Sequence, residues 1–305
     1  MKVLLAALVL ALSGSGAAMP TLGGCPVFPA SNPWNQPVDT LPVAADSAQL
    51  IASIGLDAPV HADFGSGLYG GSIIGIPYVV VHGKQTPKSR VRFDYADESD
   101  RGPYPIPRTV PIEGDPHPSG DRHALIVERD TCTLYELYAL HRTGSSWSAG
   151  SGAIWSLRSN RLRPAGWTSA DAAGLPILPG LARWADAATG HIDHALRFTA
   201  SKTRRAYVYP ARHYASSSTD PSLPPMGLRV RLKASVDISH LPPQARIVAA
   251  ALKRYGMILA DNGSPWYVSG APNAHWSNDD LHSLSQLTGA DFEVVDTSSL
   301  PEPGK

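Results

Sequence analysis

Apolar residues fall in short runs along this chain, and the run nearest the start differs from the others. Val3 to Leu12 is unbroken apolar sequence behind Lys2, and the small residues Gly16-Ala17-Ala18 follow it. A positive residue, a short apolar core and a small-residue site form the pattern of a secretory signal peptide, and the run is too short to span a bilayer. Gly14 and Gly16 also argue against an ordinary buried helix. Residues 1–18 therefore read as an export signal, and the expected location is extracellular or periplasmic.

Beyond it, residues 19–45 form an extended lead-in rich in Pro and Asn. Asp46 to Ser53 reads as a helix stopped by Gly55. Gly75 to Val81, Arg90 to Tyr95, His123 to Val127 and Thr133 to Leu140 read as strands. The turn Arg129-Asp130-Thr131 makes the last two a hairpin that pairs Glu128 with Thr133, Leu125 with Glu136 and His123 with Tyr138. Directly paired residues share a sheet face, so one face carries Leu125, Val127 and Leu134 near the turn and His123, Glu136 and Tyr138 farther out.

Farther on, Gly144 to Gly166 is loop, and Thr168-x-x-Asp171 resembles the start of a short helix. His194 to Thr199 and Arg205 to Tyr209 read as a strand pair. Leu228, Val230 and Leu232 alternate with Arg229, Arg231 and Lys233, which predicts a half-buried strand with a basic outer face. Pro243 to Tyr255 is the best helix, with Gly256 after it, and Ser277 to Leu287 is a second. Plentiful Gly (27) and Pro (28) favour turns and short strands. The expected fold is mainly β, one domain over 19–305 of the sandwich or jelly-roll kind, with a few peripheral helices.

Charge narrows the partners. The 26 basic and 26 acidic residues balance, so nucleic acid is not expected. No second apolar run reaches membrane length. The two cysteines, Cys25 and Cys132, are most simply one disulfide in an exported protein. The alternative makes Leu22-Gly23-Gly24-Cys25 a lipobox and Cys25 a lipid anchor, which Pro20 and the distance from the apolar run disfavour.

The sequence holds no G-x-S-x-G elbow, H-E-x-x-H pair, nucleotide-phosphate loop or dinucleotide fingerprint. What it offers are acid and imidazole clusters. Asp94, Asp97, Glu98 and Asp100 could hold a structural Ca²⁺, or form a solvated acidic loop; no other cofactor is expected. His191-Ile-Asp193-His194 and His61-Ala-Asp63 each set an imidazole two residues from a carboxylate, and Asp261 sits in an Asn-Gly turn. A glycosidase needs two carboxyl groups across the scissile bond. Glu136, Asp63, Asp193 and Asp261 are the candidates at strand ends, with His194 beside them. His123, Tyr138, Trp155, Arg158, Arg161, Tyr209 and His213 are candidate substrate-binding groups.

Phe28-Pro-Ala-Ser-Asn-Pro-Trp-Asn35, Arg163-Pro-Ala-Gly-Trp-Thr-Ser-Ala-Asp171, Gly190-His-Ile-Asp-His-Ala-Leu-Arg-Phe198 and Tyr255-Gly-Met-Ile-Leu-Ala-Asp-Asn-Gly263 resemble stretches of a family of secreted bacterial proteins of uncharacterised activity. The resemblance covers nearly the whole mature chain. It implies export and a single domain, and it carries over no catalytic residue.

The expectation is a secreted, monomeric carbohydrate-active enzyme acting on a polysaccharide or cell-surface glycan, foremost a glycoside hydrolase. A polysaccharide lyase would instead use Arg158, Arg161 or Arg163 to neutralise a uronate and His194, Tyr209 or His213 to move its α-proton. A glycan- or surface-binding protein without catalysis is the third reading.

Overall fold

The strands Ala124–Glu128 and Thr133–Tyr138 pair antiparallel in the register the turn predicts, with Leu125 opposite Glu136 and Glu128 opposite Thr133. The structure is a computed structural model that describes residues 19–118 and 120–302; the export signal assigned to 1–18 lies outside them. Ser151–Ser156 and Tyr78–Val81 complete a four-stranded sheet. Strand alternation sorts its residues into two apolar clusters. Leu125, Val127, Leu134, Ala153 and Trp155 pack on one side, and Ala124, Ile126, Tyr135 and Leu137 pack on the other. Both faces are covered, which is why Ala124–Glu128 is buried throughout.

A six-stranded sheet holds the largest core. Its order is Phe292–Val294, Arg229–Leu232, Met257–Asn262, Leu196–Ala200, Tyr267–Ser269 and His61–Asp63. The helices Ser47–Ile54 and Pro243–Arg254 bury their apolar stripes in the same cluster. Trp266 stacks between Phe198 and Phe292, with ring centroids 5.6 and 5.0 Å away. Small sheets complete a mainly-β single domain, and parallel pairings run through it where a jelly roll has antiparallel ones, among them Leu196–Ala200 with Met257–Asn262. A long crossover through Pro243–Arg254 brings the chain back to build the sheet centre.

Four local expectations change. No helix forms from Thr168, because Ser169 Oγ accepts the Asp171 amide at 2.9 Å and the Asp171 carboxylate is drawn into a buried ion pair. Arg205–Tyr209 makes only a single bridge, Tyr207 to Met226, and Leu196–Ala200 pairs instead with Met257–Asn262 and Tyr267–Ser269. The second helix is α only over Asn278–His282 and tightens to 3-10 over Ser283–Gln286.

The fourth change concerns the basic face at Arg229 and Arg231, which is covered rather than solvated. Arg229 donates to the carbonyls of Pro33, Gln36 and Tyr255, and Arg231 to those of Val38 and Leu41 and to Glu293. The lead-in lies over this strand with its turn carbonyls turned to these guanidiniums, which satisfy them away from water.

Cys25 and Cys132 form a disulfide, their Cα atoms 5.4 Å apart. This overturns lipid anchoring at Cys25, whose sulfur is already bonded. Among the described residues no helix is long and apolar enough to cross a membrane.

Candidate functional site

The C-terminal ends of Thr133–Tyr138 and Met257–Asn262 meet at a cleft of ≈ 410 Å³. Tyr138 and Asp261 come from those strand ends, Glu98 from the 3-10 turn Ala96–Glu98, Tyr95, Asp121 and Asp171 from loops, and His213 from the segment after Pro210. Arg163 staples two of the loops together. It is ion-paired to Asp100 at 2.6 Å and donates to the carbonyls of Glu98 and Thr168. Glu98 Oε2 in turn accepts the Thr168 amide.

Asp261 reaches this cleft because of a bulge. Phe198 pairs with Leu259, but the next residue, Thr199, pairs with Asp261, so Ala260 is the extra residue. Thr199 shares its sheet face with Arg197, two residues earlier. The bulge therefore turns Asp261 onto the face of Arg197; in unbroken register it would lie opposite Ala200 and face the other way.

Arg197 is the hub beneath the floor. Its Nε and Nη2 grip Asp171 at 2.9 and 3.0 Å, Nη2 also reaches Asp261 at 3.1 Å, and Nη1 donates to Ser269 Oγ at 2.7 Å. The Asp171 carboxylate is fully enclosed, whereas Asp261 keeps 21% of its side chain exposed. Burial, then the neighbouring Asp171 charge, pushes the Asp261 carboxyl up to about 6 against the pull of Arg197. Asp261 is thus a partly open carboxyl that holds its proton well above the usual carboxylate range.

His213 has one fixed tautomer. Its Nδ1 lies 2.8 Å from the Ala172 carbonyl, which can only accept, so Nδ1 carries a proton. Among the described residues Nε2 has no hydrogen-bond partner, and the residue lines the cleft. Tyr138 is half-buried, and its phenol is pushed up by burial and by the charges of Asp121, Tyr95 and Asp261.

The expected trio is together, at different depths. Tyr138 lines the cleft. His123 lies below it, 5.7 Å from Tyr138 between ring centroids, held by Glu113 at 2.6 Å and by the Ala170 carbonyl at 2.9 Å. Burial alone would lower the His123 pKa, but Glu113 overrides it and raises it to about 9, so the ring is an imidazolium. Glu136 lies deeper still, with no exposed surface, and accepts the amides of Ile177 and Leu178 at 2.9 Å. Burial pushes its carboxyl up to about 7. Enclosed in this way, Glu136 and His123 cannot touch a molecule in the cleft.

The other catalytic and binding candidates lie outside the cleft lining. Asp63 sits opposite Ser269 at the edge of the six-stranded sheet; burial pushes its carboxyl up, against the pulls of His61 and Arg197. Asp193 is bound by His191 at 2.9 Å and lies 3.5 Å from the Tyr255 hydroxyl, while His194 is buried between the Ala195 carbonyl and Asp186. Trp155 is core, Arg158 and Arg161 are exposed, and Arg161 borders a separate groove; Tyr209 is half-buried away from the cleft. In the acidic loop, Asp94 and Asp97 are exposed while Glu98 and Asp100 are engaged with Thr168 and Arg163. Among the described residues no three His, Cys, Asp or Glu side chains gather to hold a metal.

The residues missed by sequence reasoning are Asp121, Tyr95 and Asp171 at the cleft and Arg197 and Glu113 beneath it. Arg197 alone carried a signal, a charged residue at the centre of the apolar run Ala195-Leu196-Arg197-Phe198. Comparison of the chain with family models, curated proteins and solved structures finds no match.

Proposed function

We propose that this chain is a secreted carbohydrate-active enzyme, a glycoside hydrolase, with the cleft around Asp261 as its active site. The observation that carries the reading is Asp261 itself: a partly exposed carboxyl, lining a cleft, with its pKa raised to about 6. A protonated carboxyl is what a glycosidase sets against the leaving oxygen of a glycosidic bond. Asp121, exposed on the rim and without a side-chain hydrogen bond among the described residues, supplies the second carboxylate. Tyr95 and Tyr138 offer phenol rings and hydroxyls to sugars. The disulfide supports export, since such bonds persist in oxidising compartments.

The lyase reading loses support. Eliminating across a uronate needs a cation to neutralise its carboxylate, and among the described residues lining the cleft there is no Lys or Arg.

The test is incubation of the purified protein with neutral and uronic-acid polysaccharides. New reducing ends without the absorbance of an unsaturated uronate are expected, with activity falling as pH rises through about 6. Asp261→Asn should lower kcat by roughly 10²–10⁴-fold, the usual worth of a general acid. Full activity in that variant would remove Asp261 from the mechanism, and binding without products would replace the enzyme reading with a glycan-binding one.

A further inference from the structure

The cleft is lined by carboxylates in a chain with no net charge, so the cations gather elsewhere. One group of them is ordered along an extended stretch that joins two short edge strands through Arg90. Residues 88 to 92 read Lys-Ser-Arg-Val-Arg; Lys88–Ser89 pairs with Tyr104–Pro105, and Val91–Phe93 pairs on one side only, with Ser146–Ala149. Exposure alternates along this stretch. Lys88, Arg90 and Arg92 are exposed, Ser89 is half-buried and Val91 is buried in an apolar cluster. With Val91 held inward, the pleat turns the three cations outward together. At about 3.3 Å of rise per residue they recur roughly every 6.6 Å.

These charges are uncommitted. Lys88 and Arg90 have no ion pair among the described residues, and Arg92 meets only Asp94, 3.8 Å away, with both side chains more than two-thirds exposed. A pair of that kind contributes almost nothing. Beside the ladder runs a shallow groove of ≈ 720 Å³, bordered by Arg90, Arg92, Ser145, Ser146, Trp147 and Ser148. No Asp or Glu borders it among the described residues. Ser148 pairs with Arg92 and so shares the outward face of the ladder, as does Ser146 two residues before it.

Charge on an edge strand also prevents pairing with another chain. Any exposed charge serves that purpose, and it does not require three in phase beside a groove of hydroxyls. We propose that the Lys88–Arg90–Arg92 ladder and its groove bind a linear acidic polysaccharide. The cations take its repeated carboxylates, guanidinium groups suiting carboxylate geometry, and the serines take sugar hydroxyls. This surface shares no lining residue with the cleft. Its binding is read without catalysis, so it stands or falls independently of the hydrolase reading.

The experiment is binding of the whole protein to polygalacturonate, with dextran as the neutral control and poly-L-glutamate as a non-sugar polyanion. Polygalacturonate should bind, dextran should not, and binding should weaken as NaCl rises from ~0.05 to ~0.5 M, where screening shortens to a few ångströms. Lys88→Ser/Arg90→Ser/Arg92→Ser alters only exposed side chains, so its melting temperature should match the parent; its affinity should fall about tenfold or more, three surface pairs at a fraction of a kcal/mol each. Arg158→Ser/Arg161→Ser, on the other exposed basic stretch, should bind like the parent. No binding of polygalacturonate, equal binding in the ladder variant, or loss confined to the Arg158/Arg161 variant would overturn the proposal. Tighter binding of poly-L-glutamate than of polygalacturonate would overturn the assignment to a polysaccharide.

Discussion

Replacing Glu136 by Gln separates its two readings, because a buried carboxylate leaves a signature in stability that a substrate-facing one does not. Glu136 has no exposed surface and is raised from the ordinary 4.5 to about 7. Its folded-state pKa lies above its unfolded-state pKa, so the folded chain holds the extra proton between those values. The contribution of this group to stability is therefore greatest below pH 4.5 and declines until the group is ionised in both states above pH 7. At about 1.4 kcal/mol per pH unit, the decline from this one group is about 3 kcal/mol.

Gln keeps one carbonyl to accept the amides of Ile177 and Leu178 and has no charge to desolvate. Whatever fixed cost its amide hydrogens carry, the stability of Glu136→Gln relative to the parent should rise by about 3 kcal/mol from pH 4.5 to 8. The assay is urea unfolding followed by tryptophan fluorescence at pH 4.5, 6 and 8. With a slope near 3 kcal/mol per molar urea, the two midpoints should move about 1 M relative to each other. An offset that stays constant across the three pH values would refute the reasoning, since it would mean that Glu136 ionises as freely in the folded chain as in the unfolded one.

Three further outcomes follow from the same packing. His123 is raised from 6.5 to about 9 by Glu113, so its imidazolium contributes about 3 kcal/mol below pH 6.5 that is lost as pH rises to 9; Glu113→Gln should flatten unfolding free energy over that window, and an unchanged slope would remove the ion pair as its cause. The Cys25–Cys132 bond closes a loop with a sequence separation of 107, so Cys25→Ser/Cys132→Ser should lose up to about 4–5 kcal/mol by loop-entropy arithmetic, seen as a lowered melting temperature; an unchanged one would show that the lead-in is held equally well without it. Arg229→Met strips donors from the carbonyls of Pro33, Gln36 and Tyr255, and at about 1 kcal/mol or more for each orphaned acceptor it should cost roughly 3 kcal/mol and open residues 33–41 to limited proteolysis. Resistance equal to the parent's would show that other contacts hold that segment.

The sequence by itself determined what is local or periodic. The hairpin register at Leu125–Glu136 followed from turn length and alternation, the helices Ser47–Ile54 and Pro243–Arg254 from apolar spacing and terminal Gly and Pro, and the cysteine pairing from there being only two. The tertiary structure decided which polar groups face solvent. Arg229 and Arg231 alternate like an exposed face and are buried, because the lead-in, nearly two hundred residues away in sequence, brings carbonyls to cover them. Asp171 looked like a helix cap until Arg197 claimed its carboxylate, and Asp261 faces the cleft only because Ala260 bulges. Glu136 and Asp261 are both acids at strand ends, indistinguishable in one dimension. Burial is set by what packs above a residue, and that depends on chain segments whose distance in sequence carries no record of their meeting in space.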